Sequence, residues 1–245
     1  EAANGIETTI EVVEGMRVDR GFISPHFITN PEKMQAELDN PYILLFDKTI
    51  SHMKDLIPIL EQIASSNRPL LIVAEDVDGE ALASLVVNKA RGNLKVAAIK
   101  APWFGDRKED VMEDIAILTS GTVVSERSGL TLKTMNAIHL GSADKVIVSK
   151  DITTIIGGLG LEEDINERVK NLKAQAKDAK LEVDKEFIKE RLAKLAGGVA
   201  IMKIGAPSEL EMKEKRDRVD DALQATKAAI EEGIVPGGGT AYLRA

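Results

Sequence analysis

Hydrophobic positions between residues 42 and 149 follow two alternating periods. Short apolar runs rich in β-branched residues predict strands, and the segments between them carry apolar residues at helical spacing. Strands that alternate with helices are typical of a mostly parallel sheet, so the pattern predicts an α/β fold. The predicted strands are YILLF (42–46), LLIVAED (70–76), LKVAAIK (94–100), GTVVSE (121–126) and KVIVSK (145–150), and the predicted helices are 51–66, 79–91 and 107–119.

Two longer helical patterns follow, at 161–178 and 183–196. The first is rich in charge and has a single apolar face, and the second ends at two successive glycines, which suit a helix C-terminus. We expect these helices to form a hairpin on the surface.

The two ends of the sequence show a third pattern. An alternating β-rich opening, GIETTIEVVEGM (5–16), is expected to pair with the short strand VAIMKIG (199–205). A long helix then begins at Ser208, which with Glu211 fits a capping box, and Gly233 is expected to end it. If the ends pair, the middle of the chain is a domain inserted into another.

Composition narrows the function classes. The formal net charge is -8 and aromatic residues make up 3%, which argues against a nucleic-acid surface or an anionic membrane as partner. The sequence contains no cysteine, and its three histidines (26, 52 and 139) are too scattered for a metal site. No stretch of about 18 apolar residues is present to span a membrane. The sequence begins without methionine and stops at Tyr-Leu-Arg-Ala, in what resembles the start of a helix, so we expect a piece of a longer polypeptide.

Two predicted helices carry more apolar residues than one buried stripe needs. The helix at 51–66 includes Ile57 and Leu60, and the helix at 79–91 includes Leu82, Val86 and Val87. One interpretation is core packing on both sides of each helix. The other is an open groove between the helices, which would bind another chain.

Several long runs of the sequence resemble the group I chaperonins, the GroEL-type family. The resemblance covers essentially the whole chain and implies an inserted apical domain at 14–199, with β-sheets flanked by helices. It also implies a partial α+β intermediate domain at 1–13 and 200–231, and a stub of the equatorial domain at 232–245. The runs are VEGMRVDRGFISPHFI (13–28), LIVAEDVDGEALASLVVNKARG (71–92), KVAAIKAPWFGDRKEDVMEDIAILTSGTVVSE (95–126), KLAGGVA (194–200) and AAIEEGIVPGGG (228–239).

The resemblance implies a polypeptide-binding groove on the apical domain. In that family the groove holds non-native polypeptides and the mobile loop of the co-chaperonin. Where the family often has tyrosine, this sequence has Phe22, which makes the groove drier, and His26, which either gains charge at mildly acid pH or is an inconsequential polar neighbour. The implied groove residues are Phe22, His26, Phe27, Ile57, Leu60, Leu82, Val86 and Val87.

The resemblance also implies ATP chemistry that this chain holds only in part. Asp221 corresponds to the catalytic acid, which acts on ATP and Mg²⁺ in the full-length protein, and it is favoured over its neighbour Asp220. Gly237 and Gly238 correspond to glycines on the nucleotide side. Because the family's main phosphate loop is missing here, we expect neither ATPase activity nor ATP as a cofactor of this chain alone.

Two further residues are implied to act between subunits. Arg20 and Glu209 correspond to partners in a salt bridge that breaks as the ring changes state, although in a monomer they would be ordinary solvated charges. The full-length family members form two stacked heptamers, and we expect this chain alone to be monomeric or weakly associated. The implied compartment is the bacterial cytoplasm, or the mitochondrial matrix or chloroplast stroma.

One departure from the family pattern is Trp103, where the family has glycine. Its ring is expected either to pack on a neighbouring helix or to contact a partner.

Two other function classes are consistent with the α/β pattern. One is a small-ligand enzyme, suggested by the glycine clusters IIGGLG (155–160) and PGGGT (236–240), but the phosphate-binding fingerprints of such enzymes are absent. The other is a ring-assembly module that binds no client.

Overall fold

The computed structural model describes residues 6–64 and 66–240, which its contacts divide into two units. The first unit is Val13–Val199, and the second combines the residues up to Val12 with those from Ala200 onward. The helix start predicted at Tyr-Leu-Arg-Ala and the first residue of the predicted opening strand lie outside the described residues.

Ten strands and six α-helices form the described part of the chain. Three short 3-10 turns, at Pro25–Phe27, Met53–Asp55 and Ala137–His139, join some of them. The strands are β1 (Thr9–Val13), β2 (Gly15–Val18), β3 (Ala36–Asp39), β4 (Tyr42–Ile50), β5 (Leu70–Val77), β6 (Val96–Lys100), β7 (Val123–Val124), β8 (Gly141–Val148), β9 (Thr153–Gly158) and β10 (Val199–Lys203). The helices are α1 (Ile57–Ala64), α2 (Gly79–Ala90), α3 (Asp106–Thr119), α4 (Glu162–Asp178), α5 (Glu182–Gly197) and α6 (Glu209–Glu232).

The unit Val13–Val199 is built on a mixed sheet in the order β2-β9-β8-β4-β5-β6, with β3 paired to β8 and β7 to β4. The strands β4, β5, β6 and β7 pair in parallel, whereas β2, β3, β8 and β9 pair antiparallel. The α/β class is therefore confirmed, and the parallel arrangement is confined to one half of the sheet. Residues 70–74 of β5 are completely buried, as expected of a parallel strand that is covered on both faces.

The opening β-rich run forms two strands rather than one. It divides after Val13, and the second piece, β2, pairs antiparallel with β9 in the register Gly15↔Ile156. A Cβ on Gly15 would overlap the carbonyl oxygen of Ile155, so only glycine allows the two backbones to approach this closely. The strand predicted at 121–126 is likewise reduced to Val123–Val124.

The helix predicted at 51–66 is shorter in the structure. A 3-10 turn at Met53–Asp55 precedes α1, which begins at Ile57. Pro58 follows in the first turn of α1, where its missing N–H leaves no hydrogen bond unmade. The proline thus favours a helix start at this point over continuation from residue 51.

The predicted hairpin of α4 and α5 is present and is joined to α3 by a buried charge network. The carboxylate of Asp114, which is fully buried, accepts hydrogen bonds from Arg168 Nε at 2.8 Å and from Arg191 Nε at 2.7 Å and Nη2 at 3.0 Å. Arg191 is 4% exposed and also donates to Asp110 Oδ2 at 3.0 Å. One residue of α3 therefore anchors both helices of the hairpin.

In the second unit, β1 pairs with β10, which confirms the predicted pairing of the opening strand with residues 199–205. An ion pair between Lys203 and Glu11, with Nζ 2.6 Å from Oε2, joins the two strands. Only half of the predicted capping box forms at the start of α6: the Ser208 hydroxyl accepts from the Glu211 N–H at 3.3 Å, without the reciprocal bond. The helix ends at Gly233, whose φ is +83°.

Candidate functional site

The helices α1 and α2 follow the parallel strands β4 and β5, and both contact the turn Met53–Asp55. The start of α2 is held to the end of β4 by two backbone hydrogen bonds, from Asp78 N to Ile50 O at 3.1 Å and from Ala81 N to Ser51 O at 3.0 Å. The sequence order strand, turn, helix therefore places both helices beside the same edge of the sheet.

A third segment, the turn Pro25–Phe27, contacts α2 as well. Ser24 caps this turn by accepting a hydrogen bond from His26 N at 3.4 Å. Lys89 of α2 donates from Nζ to the carbonyl oxygen of Ile28 at 2.9 Å, and burial lowers the pKa of this lysine. Residues 22–28, called the extended segment below, are thus fastened to α2.

Apolar side chains on α1 and α2 remain open to solvent. Ile57 is 43% exposed and Val87 is 45% exposed, while Leu60, Leu82 and Val86 are half-buried against the core. The opposite faces of the helices are fully used by the core, since Leu56, Ile59, Ala81 and Leu85 are completely buried. Core packing on both sides does not account for Ile57 and Val87.

The three predicted groove residues of the extended segment differ in their placement. His26 is exposed, whereas Phe27 has no exposed surface and belongs to the core. Phe22 is half-buried beside Ile99 of β6 and lines a cavity together with Arg20. The surface that could receive a ligand therefore consists of His26 and the residues of α1 and α2.

The segment 20–23, which carries Arg20 and Phe22, is rigidly held. Arg20 O accepts from the Thr153 hydroxyl at 2.7 Å, Phe22 N donates to Ser149 O at 3.1 Å, and Ile23 N donates to Ala98 O at 2.8 Å. A Cβ on Gly21 would overlap the backbone of Lys150, so this close approach requires glycine.

Trp103 adopts a left-handed backbone conformation, with φ +64°, which explains why glycine is the natural occupant of such a position. Its ring meets Phe187 of α5 edge-on at a centroid distance of 5.1 Å, and the Arg107 guanidinium lies 5.6 Å from the ring centroid. Packing on a neighbouring helix, one of the two predicted roles, is therefore observed, and the ring remains 36% exposed.

The residues predicted to act in ATP chemistry, together with the predicted inter-subunit residue Glu209, lie in the second unit. Asp221 and Glu209 are exposed on α6, and Gly237 and Gly238 lie in an exposed turn after it. That turn is closed by the hydroxyl of Thr240, which donates to Gly237 O at 2.9 Å. Gly238 has φ +65°, so its conformation favours glycine irrespective of any nucleotide.

Two chemical features of the described residues bear on the site. They contain no group of three or more histidine, aspartate or glutamate side chains suited to a metal ion. None of their helices combines the length and the apolar character needed to cross a bilayer.

The sequence analysis did not identify the cluster of charged and aromatic side chains around Arg20 and Phe22. This cluster includes Lys100, Phe104 and Lys108. A usable signal was present, because Lys100 stands at the end of a predicted strand, and parallel strand ends converge at one edge.

The family comparison agrees with this architecture. The model of the TCP-1/cpn60 chaperonin family matches residues 3–245, which is nearly the entire chain. The chain therefore belongs to the TCP-1/cpn60 chaperonin family.

Proposed function

We propose that this chain is the apical domain and part of the intermediate domain of a group I chaperonin, and that it binds non-native polypeptides. The chaperone-type role follows from the family. The observation that carries the finer proposal is the solvent exposure of Ile57 and Val87 on two helices whose other faces are buried. Apolar side chains with few hydrogen-bond requirements select exposed hydrophobic surface in clients of any sequence.

A single surface of this kind binds weakly. If a client covers about 400 Å² of apolar area, the gross gain is about 10 kcal/mol at ~25 cal/mol per Å², and association and ordering remove a large share of it. The expected dissociation constant is on the order of micromolar or weaker. Several copies around a ring would raise the apparent affinity without any new contact.

The test is the binding of a chemically denatured, fluorescently labelled client to the chain, measured by anisotropy. Covering the exposed part of Val87, about 70 Å², contributes roughly 1.7 kcal/mol, and a carboxylate in its place must also be desolvated. Val87→Glu should therefore weaken client binding at least tenfold. The matched control is Leu181→Glu, because Leu181 is an apolar residue with 65% exposure located between α4 and α5.

Equal client binding by the two variants and the unaltered protein would refute the proposed surface. No detectable client binding by the unaltered protein would favour the ring-assembly module, which binds no client. A peptide with the sequence of a co-chaperonin mobile loop should compete with the client for the same surface, and Val87→Glu should weaken both interactions.

We also propose that Asp221 is the catalytic acid of the full-length ATPase and that Gly237 and Gly238 contact its nucleotide. The exposure of Asp221 on a helix of 24 residues supports this, since such a helix can carry a carboxylate to a separate nucleotide site. In the full-length protein, Asp221→Ala should leave ATP binding intact and abolish turnover. For the present chain we propose neither ATPase activity nor useful affinity for ATP, and a saturable calorimetric titration with ATP and Mg²⁺ would contradict the second part.

The full-length assembly is proposed to be two stacked heptamers in the bacterial cytoplasm or in an organellar matrix or stroma. Arg20 and Glu209, which belong to different units of the chain, are proposed to pair between neighbouring subunits. Exchanging their charges, Arg20→Glu with Glu209→Arg, should restore the ATP cooperativity that either single variant alters.

A further inference from the structure

A cavity of about 550 Å³ opens where the parallel strands β4, β5 and β6 end. Its walls include Thr49 of β4, Asp76 of β5 and Lys100 of β6, together with Arg20 and Phe22 from the rigid segment described above. Its volume lies within the range of small-molecule pockets, and the carboxyl edge of a parallel sheet is a frequent ligand site.

Aromatic rings form the apolar part of the cavity wall. Phe22, Trp103 and Phe104 all line it, and Phe104 is 80% exposed. Trp103 is fixed by its edge-on contact with Phe187, so this wall does not have to be ordered when a ligand enters. An exposed ring beside a held one offers a flat ligand a surface on which to stack.

The charges of the cavity favour an anion. Two carboxylates in the lining already face lysines: Asp76 Oδ2 lies 2.6 Å from Lys100 Nζ, and Glu75 Oε1 lies 3.7 Å from Lys108 Nζ. The third cation, Arg20, forms no ion pair with any residue of the described chain, and its guanidinium carbon lies 5.8 Å from the centre of the Phe104 ring. Within one chain, Arg20 is therefore the group left to accept an acidic ligand, which would compete with the inter-subunit pairing to Glu209 proposed above.

An anion with a single negative charge suits the cavity better than a phosphate, which carries more than one. Helix α3 begins beside it, but its first residue is Asp106, and a side chain of like charge there disfavours a multiply charged anion. Carboxylates and sulfonates match the fork of one guanidinium.

We propose that this cavity binds a small aromatic acid, whose ring stacks on Phe104 and whose carboxylate pairs with Arg20. The site requires none of the residues on α1 or α2, so Val87→Glu should leave ligand binding unchanged.

The probe is 2-naphthoate, titrated into the whole chain by calorimetry, with the uncharged 2-naphthamide as the ligand control. For a ligand of this size we expect a dissociation constant on the order of 0.1–1 mM. Arg20→Met should weaken 2-naphthoate at least tenfold and leave 2-naphthamide unchanged. Phe104→Ala should weaken both, and its exposed position makes loss of the fold a poor explanation.

The matched control is Arg218→Met, which removes an exposed arginine from α6 and should leave both affinities unchanged. The proposal would be overturned if 2-naphthoate gave no saturable heat at concentrations up to about five times the upper end of the expected dissociation-constant range. Equal affinity of the Arg20→Met and Arg218→Met variants would overturn it too, as would an unchanged affinity of Phe104→Ala.

Discussion

Replacing Asp114 by alanine tests the charge network that joins α4 and α5 to α3. Its carboxylate accepts three hydrogen bonds from Arg168 and Arg191, at 2.7 to 3.0 Å. In Asp114→Ala, Arg191 keeps its bond to Asp110 Oδ2, whereas Arg168 keeps only a long contact of 3.5 Å with Asp110 O. Two guanidinium groups would thus remain largely buried without their main partner.

The expected loss of stability is large. Removing one partner of a buried ion pair costs about 3–5 kcal/mol, and the bonds to Asp110 that persist favour the lower end, about 3 kcal/mol. With a urea slope of about 2–3 kcal/mol per M, the unfolding midpoint of the unit Val13–Val199 should fall by about 1 M. The emission of Trp103, the only tryptophan, reports the transition because its ring packs on α5.

Glu113→Ala is the matched control, since Glu113 neighbours Asp114 on α3 but is exposed. It should change stability by less than about 0.5 kcal/mol. A combined replacement, Asp114→Leu with Arg168→Met and Arg191→Met, should recover most of the loss, because apolar side chains leave no buried charge unpaired. The reasoning fails if Asp114→Ala unfolds at the same urea concentration as Glu113→Ala.

Three other predictions follow from the same structure. Burial raises the pKa of Asp47 above its ordinary 3.8, so the stability of the folded state falls as the pH rises from about 3.8 through that raised pKa. In urea unfolding at pH 7, Asp47→Asn should therefore be more stable than the unaltered protein. The difference should vanish below about pH 3.8. Gly21→Ala should unfold at a much lower urea concentration because its Cβ would overlap the backbone of Lys150, whereas Gly197→Ala, where a Cβ meets nothing, should unfold at an unchanged or higher concentration. Both Trp103→Gly and Trp103→Ala lose the ring, but only glycine accepts φ +64° without strain. In unfolding followed by circular dichroism, the glycine variant should therefore be about 1 kcal/mol more stable than the alanine variant. A more stable alanine variant would contradict this.

The parallel half of the sheet could be predicted from sequence, whereas much of the antiparallel half could not. Strands β5 and β6 begin with short apolar runs between helical patterns, and the buried residues 70–74 and 96–99 match the prediction. The sequence pattern does not predict β9, because two of its six residues are glycines, which are depleted in strands. Its partner β2 is distant in sequence, so no local pattern indicates that pairing.

The candidate site, too, could be predicted from the sequence only where it lies on regular helices. Periodicity predicts that Ile57 and Val87 lie on helices with surplus apolar surface, because both helices carry more apolar residues than one buried stripe needs. In an irregular segment, however, periodicity does not show which residues face the core and which face solvent. Phe27 illustrates this, since the short 3-10 turn that carries it directs its ring into the core while the adjacent His26 remains in solvent.

The same segment links the two surfaces proposed here. Gly21 allows residues 20–23 to lie against the backbone of Lys150, and the hydrogen bonds of Phe22 and Ile23 then hold the segment between β6 and Ser149. Beyond Ser24 the chain turns towards α2 and presents His26 beside it. Because one rigid stretch thus supplies a wall of the cavity and an edge of the client surface, damage to Gly21 should weaken 2-naphthoate and client binding together, whereas Val87→Glu should weaken only the client.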